Sequence, residues 1–555
     1  MGAVHDVLLE KIRQSVIGER TQITTCFGQR PLVYADYTAS GRALDFIEDF
    51  IREQVLPYYA NTHTETSYTG AQTTRLREEA RQQIRSAVNG GAGDQVIFCG
   101  SGATAAINKL IDILGFKNSQ AASGVQRPVV FIGPYEHHSN ELPWRECDVD
   151  LVTIPLTKGG VLDLAVLEAA LIRYQDRAVK VGSFSAASNV TGLKTDTVAV
   201  SRLLHRYGAI SCWDYAAAAP YVGIDMAGEQ NECGDSSLDA VFISTHKFVG
   251  GPGTPGILVV KKHLLQNPIP AVPGGGTVLY VTPEDHRYLT NCERREEGGT
   301  PAIVESIRAG LVFKLQQDVG TDEIERREAD FVARAMERWE DHENIEILGN
   351  TEAPRLSIVS LKVKYQQQDL HYSFVVALLN DLFGIQVRGG CSCAGPYGHS
   401  LLGMSMQQSK AIEAQLLEGN MVLRPGWVRL NFNYFIDEET FEYLLRAIEL
   451  VAEHGWKLLP YYYFDTANGT WRYQKKALSP EVSLNTLDFA QPTAAASADV
   501  DTSFAELLAQ AERELLRTDR EGETYRLELS DAAEALRWFV LPQSISAQQL
   551  GNQAA

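Results

Sequence analysis

Between residues 60 and 265, short apolar runs alternate with longer stretches of helical period. Gln95 to Cys99, Pro128 to Ile132, Val179 to Phe184, Ala209 to Trp213 and Ala240 to Ile243 are apolar, of strand length, and bounded by Gly, Pro or Ser. That is the pattern of buried strands. Between them Ala103 to Leu114, Asp163 to Tyr174 and Asp196 to Arg206 carry apolar residues at helical spacing. Strands alternating with helices predict an α/β domain with a mostly parallel sheet, because parallel neighbours need crossovers and helices supply them. Gly256 to Lys262 predicts one further strand.

After residue 300 the texture changes. Pro301 to Leu315 and Thr321 to His342 are long amphipathic helical runs, and strands at Leu356 to Val363 and Val428 to Phe432 flank a helix from Asp369 to Leu382. This pattern predicts a second, smaller α+β domain. The stretch Gln491-Pro-Thr-Ala-Ala-Ala-Ser-Ala-Asp-Val500 reads as linker. Beyond it, Ser503 to Arg517 is an amphipathic helix with Phe504, Leu507, Leu508, Ala511 and Leu515 on one stripe. The expected organisation is a segment 1–60 completing the small domain, a large α/β domain over 61–300 and a small domain over 301–480. A linker over 481–502 and a helical extension over 503–555 follow.

Composition narrows the class. Over 555 residues the chain is 45% hydrophobic and 22% charged, typical of a globular protein. A formal net charge of −20 argues against nucleic acid or an anionic membrane as partner. No apolar run approaches the length of a membrane span, and the N-terminus lacks the basic and apolar regions of a secretory signal. Eight scattered cysteines do not form a disulfide framework, which suits a reducing cytoplasm.

The candidate chemistry lies where the predicted strands end, the rim at which open α/β sheets bind ligands. The first strand runs into Gly100-Ser-Gly-Ala103-Thr104, a glycine turn opening a helix, whose N–H groups suit a phosphate. The second leads to His137 and His138. Neighbouring side chains diverge and no carboxylate or Cys spacing supports zinc, so no metal site is expected. The third leads to Asn189, and the fourth ends at Asp214, a carboxylate that burial makes costly without a cation. The fifth delivers Ser244, His246 and Lys247 into a turn rich in Gly and Pro. A lysine just past a buried strand has its amine pKa lowered by burial and can form a Schiff base. Helix N-terminus, Asp, His and Lys together are what pyridoxal phosphate (PLP) requires.

On these residues the chain resembles the class V aminotransferase branch of fold-type I PLP enzymes, especially cysteine desulfurases and selenocysteine lyases. Matching stretches are Gly102-Ala-Thr, Glu136-His-His-Ser-Asn-Glu-Leu-Pro-Trp144, Ser188-Asn-Val-Thr-Gly192, Asp214, Ser244-Thr-His-Lys247, Glu297-Gly-Gly-Thr-Pro301, Arg388-Gly-Gly-Cys-Ser-Cys-Ala-Gly-Pro396 and Arg429. The resemblance implies a fold-type I transferase in which Lys247 carries the cofactor aldimine, Asp214 keeps the pyridinium nitrogen protonated and His137 stacks on the ring. Asn189 would contact the ring hydroxyl or substrate. Ala103, Thr104, Ser244 and His246 would hold the phosphate. Thr300 would reach the phosphate site of a second subunit, implying a homodimer. Arg429, with Arg388 nearby, would bind the carboxylate of a small amino-acid substrate.

Cys393 falls on the nucleophile position of the desulfurases, where a thiolate takes sulfur from L-cysteine as a persulfide and a sulfur-acceptor protein receives it. Cys391 is additional to simple desulfurases. The chain departs from their pattern at Ala217, at Ala103 within the phosphate motif, and at Thr64-Glu-Thr66 beside His63. These departures bear on the substrate. A C–S lyase, aminotransferase or epimerase of the same branch is the alternative, and a non-catalytic interaction module docking a partner on the tail helix is a third.

Overall fold

The computed structural model describes residues 2–117, 126–475, 482–490, 502–518, 520 and 523–545. The chain forms two compact units. The first comprises Met1–Ile17, Tyr37–Ala329 and Glu352–Leu356, the second Gly18–Asp36, Asp330–Thr351 and Ser357–Ala555.

The first unit is built on a seven-stranded sheet. Its strands are β1 (Asp94–Phe98), β2 (Val129–Ile132), β3 (Asp150–Thr153), β4 (Lys180–Ser185), β5 (Ile210–Asp214), β6 (Ala240–Ser244) and β7 (Gly256–Lys261), in spatial order β1-β7-β6-β5-β4-β2-β3. The β6-β5-β4-β2-β3 run is parallel, and β7 is antiparallel to both of its neighbours. The predicted strands are present to within a residue or two. β3 escaped the hydrophobic pattern because it is a half-buried edge strand that starts on Asp150. The helix Tyr68–Ala87 escaped it for a different reason: its buried face consists of Gly70, Thr73, Arg77, Ala80, Arg81 and Ile84, so burial there leaves no apolar stripe. That helix meets Ile303–Val319 so closely that a Cβ on Gly310 would lie 2.5 Å from the Ala80 Cα.

The second unit holds an antiparallel sheet of β8 (Ile345–Ile347), β9 (Ile358–Tyr365), β10 (Arg388–Gly390) and β11 (Trp427–Asn431), in order β8-β9-β11-β10. The helices Tyr372–Phe383 and Glu438–His454 contribute Phe374, Leu378, Leu382, Phe441, Leu444 and Ile448 to its core. Val33–Tyr34 pairs in parallel with Ile385–Gln386, which ties the segment Gly18–Asp36 to this unit, while residues 37–60 lie in the first.

The tail helix is Phe504–Leu516, opened by a capping box between Ser503 and Glu506. Its apolar stripe is used within the second unit: Phe504 stacks on Tyr443 at 4.1 Å, and Leu507, Ala511 and Leu515 are buried. The linker stretch 491–500 lies outside the described residues. Among the described residues no helix is long and apolar enough to cross a membrane.

Candidate active site

The rim residues of the first unit converge as their strand ends require. Gly102, at φ +55°, opens the helix Gly102–Ile113; a Cβ there would lie 2.9 Å from Ser244 Oγ and 3.2 Å from the His246 ring. A Cβ on Gly256 would strike the Gly102 carbonyl oxygen at 2.0 Å. These two positions admit only glycine, and the turn after β1 therefore presses directly on the turn after β6. Ala103 N donates to Ser244 Oγ (2.9 Å). Thr104 Oγ1 is exposed and hydrogen-bonded to Ser139 Oγ at 2.6 Å. Ser139 lies in turn 3.0 Å from His137 Nδ1, and the Ser139 backbone N–H donates to the same nitrogen. An Nδ1 that accepts an N–H leaves the neutral imidazole protonated on Nε2.

Lys247 is half-buried in the 3-10 turn Thr245–Lys247. The turn is held by Gly41 N and Ser40 Oγ, which both donate to the His246 carbonyl (2.8 and 3.2 Å), and by Thr245 Oγ1, which donates to the Pro255 carbonyl. Asp214, 4% exposed at the end of β5, accepts from Ala216 N (2.8 Å). Burial raises its pKa, and the Lys247 charge acts against that shift. Burial and then the Lys247 charge lower His246 to about 4, so His246 is neutral near pH 7. Asn189 is buried. Thr300 is exposed and accepts from Asn61 Nδ2 at 3.4 Å. The preceding Glu297 is a buried anion that burial pushes up and that Arg81 and Arg77 pull down further, with contacts of 2.7 to 3.0 Å.

Glu136 received no role from the sequence, yet it sits behind this rim. Its Oε1 accepts from Gly133 N (3.2 Å) and Ser185 N (3.0 Å), its Oε2 from Asn140 Nδ2 (2.7 Å) and Ser185 Oγ (2.6 Å). One carboxyl thus joins the end of β2, the helix His138–Arg145 and β4. Burial, reinforced by the Asp214 charge, pushes it up to about 7 in spite of those donors. Because this lies above the ordinary 4.5, the protonated acid contributes stability in full below about pH 4.5, and that contribution is lost as pH rises through about 7. The melting temperature of the wild type relative to Glu136→Gln is expected to fall across this interval, by the equivalent of roughly 3 kcal/mol. A difference between the two proteins that is independent of pH would contradict the assignment.

The second unit carries the arginines and the cysteine loop. Arg429, 3% exposed in β11, donates through Nη2 to Asp36 Oδ1 (2.9 Å), and the more exposed Arg388 donates through Nε to Asp36 Oδ2 (3.1 Å). Arg388 and Arg429 are register partners across β10 and β11, which is why one carboxylate reaches both. Asp36 went unnoticed in the sequence, although it follows a short apolar strand just as Asp214 does. Cys391 and Cys393 are both free thiols, and Cys393 is exposed. Ser392 and Cys393 adopt φ of +54° and +55°, a conformation uncommon outside glycine. Cys393 lies three residues past β10, whose Arg388 pairs in register with Arg429, and burial lowers the Arg429 pKa against the opposing charge of Asp36. Among the described residues no cluster of three or more His, Cys, Asp or Glu could hold a metal ion.

The family model for aminotransferase class-V matches residues 33–439. The chain belongs to that family. Class-V aminotransferases are PLP-dependent enzymes, and this chain is one of them. Its relatives include a Halalkalibacterium halodurans protein named "Probable cysteine desulfurase", 29% identical over 374 residues that cover 66% of this chain and 85% of that one. A Streptomyces coelicolor protein of the same name is 27% identical over 369 residues, covering 66% and 84%. Among solved structures, the apo cysteine desulfurase of Thermococcus onnurineus aligns at a TM-score of 0.62 with 23% identity, covering 76% of this chain and 95% of that one. The Escherichia coli cysteine desulfurase CsdA aligns at 0.62 with 19% identity, covering 80% and 98%. These alignments show the fold-type I architecture.

The class-V cofactor fits the residues present. The glycine cradle at Gly102, the helix N-terminus with Ala103 and Thr104, and the Ser244 hydroxyl suit a phosphate, with no Cβ to obstruct it. The Asp214 anion, made costly by burial, would be matched by the N–H of a protonated pyridine ring.

Proposed function

We propose that this class-V enzyme is a cysteine desulfurase-like protein that removes sulfur from L-cysteine and leaves it on Cys393. The observation that carries the reading is the exposed Cys393 thiol three residues past β10, the strand whose Arg388 pairs in register with the buried Arg429. A carboxylate clamp next to a nucleophile is what an α-amino acid bearing a labile sulfur needs. The names of the relatives support the same reading.

In this proposal Ser244, His246, Ala103 and Thr104 hold the cofactor phosphate, Asp214 keeps the ring nitrogen protonated, and Asn189 contacts the ring hydroxyl or substrate. Lys247 is the attachment point. When bound, the cofactor supplies an electron sink for the substrate's α-carbon. His137, neutral with its proton on Nε2, covers the ring face. Arg429 orients the substrate carboxylate, and Asp36 holds both that side chain and Arg388 in place. Cys393 Sγ, as thiolate, attacks the substrate sulfur: the Cβ–S bond breaks, an S–S bond forms on Cys393, and Cβ takes a proton, so that alanine leaves. A thiol-bearing acceptor protein or reductant then removes the sulfur. Thr300, exposed on its loop, serves the phosphate site of a second copy in a homodimer.

Holoenzyme incubated with L-cysteine and a reductant is expected to release sulfide and alanine in equal amounts. Pyruvate and ammonia in place of alanine would identify a C–S lyase and sink the desulfurase reading.

A further inference from the structure

The family match ends at residue 439, yet the chain continues, and its segment 523–545 buries Leu527, Ala533, Phe539, Val540 and Ile545. That segment is fastened to the rest of the second unit by Phe539 and Val540, both buried, and by Val540 N donating to the Asp369 carbonyl (3.0 Å), while the Gln543 side chain closes the segment on itself through Leu527 N and O (3.1 and 2.8 Å). Between these anchors stands Trp538. Its indole N–H donates to the Leu423 carbonyl at 3.1 Å. Its ring stacks on His371 (5.2 Å, 25°) and lies parallel to Tyr372 within 5° at 6.1 Å, an offset-stacked geometry.

Tyr372 leads from the tail to the cysteines. A Cβ on Gly389 would lie 2.7 Å from the Tyr372 ring, and a Cβ on Gly426 would lie 2.8 Å from that ring and 2.7 Å from Gly390 Cα. The ring is therefore packed flush against the backbone of β10 and of the residues just before β11. Cys391 follows Gly390 directly, and burial pushes the Tyr372 hydroxyl up to about 12. His371, buried beside it, bonds the Val422 carbonyl through Nε2 at 3.1 Å and accepts from Ser373 N through Nδ1. Trp538 and His371 thus brace the 422–426 segment and Tyr372 together.

We propose that Trp538 is a positioning residue, through which the C-terminal segment of this chain, acting on Tyr372, holds the Gly389–Cys393 loop in the conformation that presents its thiols. The proposal rests on the desulfurase reading for the meaning of that loop but not for its conformation. Two consecutive non-glycine residues at positive φ persist only where the surroundings impose them, and the Trp538–Tyr372–glycine stack fixes Gly389 and Gly390, the strand end from which Ser392 and Cys393 depart.

The test uses full-length holoenzyme carrying Trp538→Ala or Trp538→Phe, with hydrogen exchange, Cys393 alkylation and turnover as readouts. In Trp538→Ala, amide exchange over 388–394 and the rate of Cys393 alkylation by iodoacetamide should each change about fivefold, the factor one aromatic pair is worth. The kcat for L-cysteine should drop by a similar factor while KM and cofactor absorbance hold, and Trp538→Phe, which keeps the ring, should restore most of the loss. Unchanged exchange and alkylation in a folded Trp538→Ala protein would overturn the proposal. So would a general acceleration of exchange that Trp538→Phe does not reverse, or local acceleration that leaves kcat of an active desulfurase untouched. Should Trp538→Ala fail to fold, Tyr372→Leu must reproduce the local change, and its failure to do so is equally decisive. A wild type that makes no alanine sinks the desulfurase reading alone, because exchange and alkylation still decide the positional one.

Discussion

Lys247→Ala protein purified with cofactor is expected to lose the visible absorbance of the wild type and, with it, turnover of L-cysteine by several orders of magnitude. Lys247 is the amine whose charge reaches both Asp214 and His246. The turn that carries it is held by Gly41 and Ser40, which donate to the His246 carbonyl, and by Thr245, which donates to the Pro255 carbonyl. Lys247→Ala keeps those bonds, so the variant should fold and melt cooperatively. Removing a positive charge also moves its neighbours in a defined direction. Asp214 keeps the Ala216 hydrogen bond but loses the other interaction that opposes its burial and rises further, and His246 rises from about 4. A histidine titration followed by NMR in wild-type and variant apoprotein checks the second shift. A Lys247→Ala protein that kept its colour and activity would remove the lysine from the centre of the mechanism.

Cys393→Ser is expected to lower sulfide and alanine release by about 10²-fold or more, since a serine hydroxyl does not ionise near neutral pH and is a poor nucleophile toward sulfur. The substitution is nearly isosteric at an exposed position, so folding and visible absorbance should be retained. Cys391→Ser should keep turnover to within about twofold if Cys393 alone receives the sulfur. Intact-mass measurement of the wild type after a single turnover without reductant should show one added sulfur, located at Cys393 by peptide mapping. Full turnover by Cys393→Ser would refute the persulfide role. Loss in Cys391→Ser alone would assign that role to the other thiol of the loop.

The sheet of the first unit was legible because its strands other than the edge strand β3 are buried on both faces and its crossover helices are amphipathic, so burial and hydrophobicity coincide. They cease to coincide in the helix Tyr68–Ala87, where buried Arg77 and Arg81 replace apolar residues and are compensated by Glu297, more than 200 positions along the chain. The candidate site divides in the same way. Lys247, Asp214, Asn189, His137 and Thr104 each follow a strand whose end could be read locally. Glu136 could not be assigned, although it lies next to His137, because its burial and its donors from β4 emerge only once β2 and β4 pair. Asp36 bonds Arg388 and Arg429 across 352 and 393 residues of sequence, a separation at which no periodicity carries information.

By itself, then, the order of residues along this chain determined a mostly parallel α/β sheet and the rim groups that a PLP enzyme needs, because periodicity and strand ends are local properties. Tertiary structure alone decided which carboxylates those groups face, how Asp36 braces the arginines, and that Trp538 lies against Tyr372 behind the cysteine loop. Those choices depend on desolvation and packing between segments distant in sequence, and such quantities exist only after the chain has folded.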